Sequence, residues 1–479
     1  MEGYGGKVLS RNTNQLKSYT LLLVDMYYLK RIMIMPRLYF IAACVLALGS
    51  LPSAQAQTPD TLALSVHEAV ERAQEQNYQV QTAAAETDAA QAGARQTLAT
   101  FLPQVSVSEN ATSTTDPLNA FGFLLKQETV TQADFAPASL NDPDRIDNYT
   151  TQVTVQQPVL NLDGLFERRA ATRQAQAAEL GTQRTAEMVR FQVRRQYYGL
   201  VLAHERESVI AAALQAARSN QDRAEDLFDQ GMITQADVLA ARVRVLELEA
   251  DQTEVQAAVE DASDQLRYLL GITEKTRIAP TDELPDPIDT PSQIDVQTVN
   301  AERSDMRALR LQRDAAEQRV KAARAAFLPT VNAQGGYQWN DTTPFGTKGQ
   351  SWTVGISLQW NVFGGFKQIG GMQRAQANER ASMLAVRDRR LQNEVDIEAA
   401  LRALSTSRER IAQTQAVVEQ ARESFRLRSD RFEQGLESTT DLLQAEAQLA
   451  ESRLAALQAQ YGHATNRFRL ELLTERSLR

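Results

Sequence analysis

Apolar and polar residues alternate strictly along residues 351–360, SWTVGISLQW. One side of an extended chain would carry the residues Trp352, Val354, Ile356, Leu358 and Trp360, while Gly, Ser, Thr and Gln lie between them. Side chains of a β-strand point alternately to its two faces, so this period of two predicts a strand with one apolar face. Two environments produce such a strand. One is a sheet packed on helices, and the other is a membrane strand whose apolar face meets lipid.

A preceding strand completes a predicted hairpin over residues 330–361. A weaker alternation predicts a second hairpin over 104–158, which encloses a loop at 110–147 rich in Asn, Asp, Thr and Pro. Membrane strands concentrate aromatic residues where lipid meets water. If these strands lie in a membrane, the interface belt is expected to consist of Tyr337, Trp339, Trp352 and Trp360.

Long proline-free stretches follow each hairpin. They predict helices over 165–229 and 366–434, each followed by another helix, over 234–270 and 438–473. The first of these would be about 98 Å long. Residues on alternating four- and three-residue steps predict a seam for partner helices. Its apolar members are Val189, Val193, Leu200, Ala203, Ile210, Leu214, Ala217, Ala224 and Phe228, and it also admits Gln196, Glu207 and Gln221. His463 lies on the corresponding seven-residue step of the last helix.

Sequence landmarks occur twice in the same order. Phe-Leu-Pro at 101–103 recurs at 327–329, and Phe-x-Gln-Gly at 228–231 recurs at 432–435. Each copy predicts a helix, a hairpin, a long helix and a further helix. Such internal duplication indicates two copies of one structural unit.

The two copies set the expected domain organisation. The first repeat spans 57–278 and the second spans 293–479. The linker between them, 279–292, contains four prolines, which exclude a helix there. The fold class predicted is therefore mainly α with a small β part, built from duplicated long-helix hairpins.

Residues 35–57 have the features of a secretory signal. Basic Arg37 precedes an apolar run, and the small residues of Ala-Gln-Ala end at Ala56, so cleavage is expected there. Residues 1–56 would then be the signal and an upstream extension, with Met33 or Met35 as the start. The single cysteine, Cys44, lies inside this segment, and its lipidation is the alternative to cleavage after Ala56.

The charge and the missing motifs exclude several functions. The formal net charge of −9 argues against nucleic acid as a partner, because phosphate binding needs a basic surface. The sequence contains no HExxH metal motif, phosphate-binding loop, nucleophile elbow or GxGxxG after a strand. We therefore expect no enzyme, no catalytic residues, and no cofactor.

Four strands are too few for a closed membrane barrel, since single-chain barrels have about eight or more. An open sheet edge is not tolerated in lipid. If the strands lie in a membrane, several chains must therefore share one barrel.

This duplicated plan resembles the TolC-like outer-membrane efflux proteins. The Phe-Leu-Pro junctions and Phe-x-Gln-Gly turns carry the resemblance, together with Asp-x-Leu at 237–239 and 441–443. It implies a homotrimer with a twelve-stranded outer-membrane barrel, four strands coming from each chain, and a periplasmic α-helical tunnel. The implied function is the passive exit duct of a tripartite efflux pump or type I secretion system. The implied partners are a periplasmic adaptor, an inner-membrane transporter and outer-membrane lipid.

The resemblance also places the helix turns at the periplasmic tip, where adaptors bind and the tunnel narrows. It implies adaptor contacts at Gly231, Thr234, Gly435 and Ser438, and an aperture formed by Asp237, Phe432, Glu437, Asp441 and Gln444. Thr234 and Ser438 are predicted to cap the next helix, with the acid three residues later completing a capping box.

The aperture departs from the family pattern at two positions. The family has two aspartates after the second turn, which favour cations and bind divalent ions. Asp441 matches the first of them, whereas Gln444 replaces the second. Glu437 replaces the family's basic gate residue, so the ring formed by Glu437 and Asp441 is expected to be acidic.

Two other functions remain open from the sequence. A periplasmic adaptor would contain one helical hairpin and β-domains rich in Gly and Val, whereas this chain predicts two helical hairpins. A structural coiled-coil protein without a channel would leave the tryptophan-rich alternating strands unexplained.

Overall fold

The structure is a computed structural model that describes residues 61–291 and 293–478. The expected signal, its cleavage site and Cys44 lie outside these residues. The strands are β1 (Thr61–Leu64), β2 (Gln104–Thr114), β3 (Ile146–Leu160), β4 (Arg277–Pro280), β5 (Thr330–Asp341) and β6 (Gly349–Gln359). The helices are α1 (Val66–Gln76), α2 (Tyr78–Gln96), α3 (Pro117–Lys126), α4 (Pro137–Asn141), α5 (Leu162–Asp229), α6 (Gln235–Leu269), α7 (Val296–Glu302), α8 (Ser304–Ala325), α9 (Lys367–Glu433) and α10 (Thr439–Thr474).

Two helices precede the hairpin in each repeat, where the sequence predicted a single helix. Asn77 separates α1 from α2, because its extended backbone ends one helix while its side chain accepts a hydrogen bond from Gln79 N at 2.8 Å and caps the next. The Asn77 amide also donates to Leu269 O at 2.8 Å. Arg303 separates α7 from α8 in the second repeat. Both residues are buried, so these breaks depend on contacts with distant parts of the chain.

Helix α5 has 68 residues and is therefore about 100 Å long. It packs against α2, α6, α8 and α10. The predicted seam is buried along most of this length, with Val189, Val193 and Leu200 fully enclosed. Ala203 is only partly buried, and Phe228 at the end of the seam is 41% exposed.

A hydrophobic core of many buried residues lies around the middle of α5. Tyr197, Tyr198 and Phe468 are buried there, and the rings of Tyr198 and Phe468 stack at 5.4 Å. Strands β1 and β4 form a parallel pair beside them. The Tyr197 hydroxyl accepts hydrogen bonds from the backbone N–H groups of Thr281 and Asp282, at 3.0 and 3.1 Å. These contacts fix the start of the linker to the helices.

The other four strands form one antiparallel sheet in the order β2-β3-β5-β6. Its register aligns the apolar residues of neighbouring strands, since Val107 pairs with Val153, Val153 with Tyr337, and Tyr337 with Trp352. No helix of the described residues covers this apolar face, and Trp352, Val354 and Ile356 are each more than 70% exposed. Within the described residues, the sheet is therefore not packed on helices through its apolar face.

Across residues 61–291 and 293–478, no helix combines the length and the apolar character that crossing a bilayer requires.

Candidate functional site

The two helix turns, 230–234 and 434–438, lie together at one end of the helices. A Cβ atom built on Gly435 would lie 2.8 Å from the Met232 side chain of the other turn. Gly231 and Gly435 have φ angles of 73° and 68°, the left-handed conformation that favours glycine after a helix. The sequence prediction for these two glycines is thus consistent with the backbone geometry.

The first turn is closed by a complete capping box. Asp237 accepts hydrogen bonds from the Thr234 hydroxyl at 2.6 Å and from the Thr234 backbone N–H at 3.0 Å. These bonds lower the pKa of Asp237, because they favour its ionised form. Asp237 therefore holds the start of α6.

The second turn is capped differently. Ser438 Oγ accepts a hydrogen bond from Asp441 N at 3.1 Å, and its hydroxyl donates to the Asp441 carboxylate at 2.6 Å. In the described structure, the Ser438 backbone N–H makes no reciprocal bond to the Asp441 carboxylate, unlike that of Thr234 to Asp237. The Asp441 side chain remains 49% exposed. Its pKa is lowered by the Ser438 hydrogen bond, with a smaller contribution from Arg428.

Two arginines at the end of α9 neutralise the carboxylates of the second turn. Arg428 Nη1 lies 3.1 Å from Glu437 Oε1 and 3.3 Å from Asp441 Oδ1. Arg431 Nε lies 3.1 Å from Glu437 Oε2. The expectation of an acidic group formed by Glu437 and Asp441 is therefore corrected, because each chain balances these two negative charges with two positive charges.

Phe432 does not line an opening, contrary to the prediction. Its side chain is 1% exposed and packs with Ala224, Ala241 and Leu442, one residue from each of three other helices. Burial of the Phe432 ring between these helices stabilises their packing next to the turn. Gln444, in contrast, is not buried.

The sequence interpretation missed two side chains near the turns. Glu446 of α10 is 3% exposed, lies 3.4 Å from Arg244 Nε of α6, and accepts a hydrogen bond from Asn220 Nδ2 of α5 at 3.2 Å. Burial raises the pKa of Glu446, although Arg244 and Asn220 oppose the shift. The other missed residue is Arg428. Its position could have indicated a structural role, because basic residues are favourable near the C-terminus of a helix and Arg428 lies in the last turns of α9.

No group of three or more His, Cys, Asp or Glu side chains suited to a metal ion occurs among the described residues.

The ends of the sheet nearest the long helices are anchored in the same way in both repeats. Trp360 Nε1 donates to Phe327 O at 3.1 Å, and Gln157 Nε2 donates to Phe101 O at 2.7 Å. Both acceptors belong to the Phe-Leu-Pro junctions. At the opposite end, the rings of Tyr337 and Trp339 lie 4.7 Å apart. The aromatic residues predicted for the belt therefore occupy both ends of the sheet.

Comparisons with known proteins agree with this architecture. A family model described as outer membrane efflux protein matches residues 69–272 and 296–475. The alkaline protease secretion protein AprF of Pseudomonas aeruginosa is 22% identical over 345 residues, which cover 71% of each chain.

Solved structures show the same fold. The CmeC outer membrane channel of Campylobacter jejuni superposes with a TM-score of 0.74 at 17% identity and covers 85% of each chain. The outer membrane protein VceC of Vibrio cholerae superposes with a TM-score of 0.70 at 20% identity, covering 86% of this chain and 96% of VceC.

Proposed function

This chain belongs to the outer membrane efflux protein family, and on that basis we propose that three copies form a passive exit duct through the outer membrane. The sheet would lie in the membrane, and the long helices would form a tunnel in the periplasm. Family membership and the shared fold remove the alternatives of a periplasmic adaptor and of a coiled-coil protein without a channel.

The observation that carries this proposal is the uncovered apolar face of the four-stranded sheet. Trp352, Ile356 and Leu358 are 72%, 78% and 66% exposed in the single chain. Lipid would remove these side chains from water, which stabilises them in proportion to the apolar area buried. The opposite face carries Ser, Thr, Asn and Gln, which suits a water-filled interior.

Two open edges support a shared barrel. Strands β2 and β6 lie at the edges of the sheet, and each has unpaired backbone groups along one side. Such groups are costly in lipid unless they are hydrogen bonded. Pairing β6 of one copy with β2 of the next would satisfy both edges, and three copies would close twelve strands.

Exposed apolar stripes on the helices support the same assembly. Helix α6 exposes Leu239, Val243 and Leu246 at three- and four-residue steps, with 51–59% of each side chain accessible. Helix α9 similarly exposes Leu384 and Leu391. These faces have the spacing of helix–helix seams, so neighbouring copies are their proposed partners.

We further assign the two turns to the periplasmic tip. Gly231, Thr234, Gly435 and Ser438 would contact a periplasmic adaptor, which joins the duct to an inner-membrane transporter. The aperture would be surrounded by Asp237, Glu437, Asp441 and Gln444. The buried Phe432 would hold together the helices that carry them. AprF is described as a secretion protein, so type I secretion and efflux are both proposed uses.

Single-particle electron microscopy of the chain purified in detergent, without partners, tests the proposal. The expected particle is a three-fold tube longer than about 100 Å, with a detergent belt around Trp339, Trp352 and Trp360. A monomer, or a dimeric rod without a belt, would overturn it.

A further inference from the structure

Helix α3 lies in the loop between β2 and β3, and its C-terminal end is held against the sheet. Gln127 follows the helix, and its side-chain amide donates to Asp147 O and to Asn148 Oδ1, both at 2.9 Å. Gln127 and Asn148 are each 1% exposed. The loop is therefore packed on the end of the sheet that lies away from the long helices.

The register shows which face of the sheet this is. Asn148 lies on the same face as Thr150 and Asn340, and these three side chains are hydrogen bonded to one another. The apolar residues Val153 and Tyr337 belong to the opposite face. Helix α3 thus ends on the polar face, which the proposed function assigns to the inside of the barrel.

Gly349 of β6 confirms the close approach on that face. A Cβ atom on Gly349 would lie 1.7 Å from the backbone oxygen of Lys126. Gly349 pairs with Asn340, so the space that its missing side chain leaves open belongs to the polar face. The sheet accommodates the end of α3 only because this residue is glycine.

The remainder of α3 presents apolar side chains away from the sheet. Ala120 is buried, whereas Leu118 and Leu125, seven residues apart on the other side of the helix, are 82% and 53% exposed. Phe135 is 58% exposed and its ring lies 5.5 Å from that of Phe121. A water-filled interior would disfavour this exposed surface.

We propose that the α3 helices of three copies meet through Leu118 and Leu125 and form an apolar constriction at the outer mouth of the duct. The inference rests on the proposed trimer, because three-fold symmetry brings the inner faces of the three sheets towards one axis. Each exposed apolar surface is then covered by the other copies in a cyclic contact. The duct would have a second narrow point, remote from the periplasmic tip.

Cysteine cross-linking tests this contact. Leu118→Cys and Leu125→Cys are made separately in the full chain, and outer membranes are treated with a short bismaleimide. The expected product is covalently linked dimers and trimers on a denaturing gel. Val354→Cys, on the apolar face of the sheet, and the unsubstituted chain are the controls and should remain monomeric.

Two results can be distinguished. If both leucine variants stay monomeric while micrographs of the same preparations show three-fold particles, the constriction is overturned and the trimeric duct stands. If no three-fold particles form, the proposed function itself fails. Cross-linking of Val354→Cys to the same extent as Leu118→Cys would also overturn the constriction, because the reaction would not be specific to α3.

Discussion

The Arg428 guanidinium of α9 lies 3.1 Å from the Glu437 carboxylate, and this contact joins the last turns of one helix to the turn that follows it. Arg431 also pairs with Glu437, so the charge of this carboxylate is balanced within the same chain. The positive charge at this turn thus comes from the end of α9 and not from position 437.

We expect Arg428→Ala to make the duct more selective for cations. The substitution removes the positive charge beside both Glu437 and Asp441, while the cost in stability should be small, about 1 kcal/mol or less. Reversal potentials in a salt gradient across planar bilayers measure the change. Arg422→Ala is the matched control, because Arg422 pairs with Glu419 on its own helix. Equal reversal potentials for the two variants would contradict the assignment.

Asp441→Asn should shift selectivity in the opposite direction. The substitution removes a negative charge, but the new amide side chain can still accept the bond from the Ser438 hydroxyl. The variant should favour cations less and lose sensitivity to divalent cations, both measured in the same recordings. If conductance and selectivity match those of the unsubstituted chain, Asp441 does not line the aperture.

His463 should make stability depend on pH. Its Nε2 accepts a hydrogen bond from Ile288 N at 3.1 Å, so this nitrogen must be unprotonated, and Nδ1 lies 3.0 Å from Ser407 Oγ. Burial lowers the pKa of His463 from 6.5, and Arg408 and Arg467 lower it further. The unfolded chain then binds its proton at higher pH than the folded chain, so stability falls as pH drops below the unfolded value.

Melting temperatures at about pH 7.5 and about pH 5.5 measure this dependence. His463→Gln should reduce it, because an amide can accept from Ile288 and donate to Ser407 at either pH. His67→Gln is the control, since His67 is exposed and pairs with Glu71. An unchanged pH dependence in His463→Gln would refute the role of this residue.

Arg303→Ala should strongly destabilise the fold. Arg303 is fully buried, donates to both carboxylate oxygens of Asp305 at 3.0 and 2.7 Å, and donates to Leu473 O at 2.8 Å. Burial alone would raise the pKa of Asp305, but the bonds and charge of Arg303, with other arginines, hold it at about 2. Removing one partner of a buried pair costs about 3–5 kcal/mol when the other charge is left without a partner. Arg389 still pairs with Asp305 at 3.0 Å, so the cost of Arg303→Ala should lie near the lower end of that range.

Thermal unfolding should distinguish this buried ion pair from an exposed one. Arg313→Ala breaks a contact with Asp314 in which the arginine is 42% exposed, and should change stability by about 0.5 kcal/mol or less. Thermal unfolding of the detergent-purified variants gives both values. Equal melting temperatures for Arg303→Ala and Arg313→Ala would show that the buried pair does not hold α8 to the end of α10.

Gly349→Ala should release α3 from the sheet, since the added methyl group would overlap the Lys126 backbone oxygen. The loop should then be cut faster by trypsin after Lys126 or Arg145. Gly355→Ala lies on the same strand, and there the nearest atom to the added Cβ is 3.8 Å away. Similar cleavage rates in the two variants would mean that α3 does not depend on this close approach.

Local sequence patterns were sufficient for the fold class. The alternation around Trp352 predicted the strand and its apolar face, and the spacing of Val189 and Val193 predicted a buried helix seam. Gly231 and Gly435 predicted the backbone of the turns. These features follow from short-range geometry, because side-chain direction and φ preferences depend on neighbouring residues.

Other features were decided only by tertiary contacts. Asn77 and Arg303 divide helices because they are buried against distant segments, and Phe432 is enclosed by three other helices. Arg428 balances a turn that the sequence indicated to be acidic. Ion pairing and burial depend on which remote residues the fold brings together, and no local period encodes that choice. The loop sequence likewise did not show that α3 would lie on the polar face of the sheet.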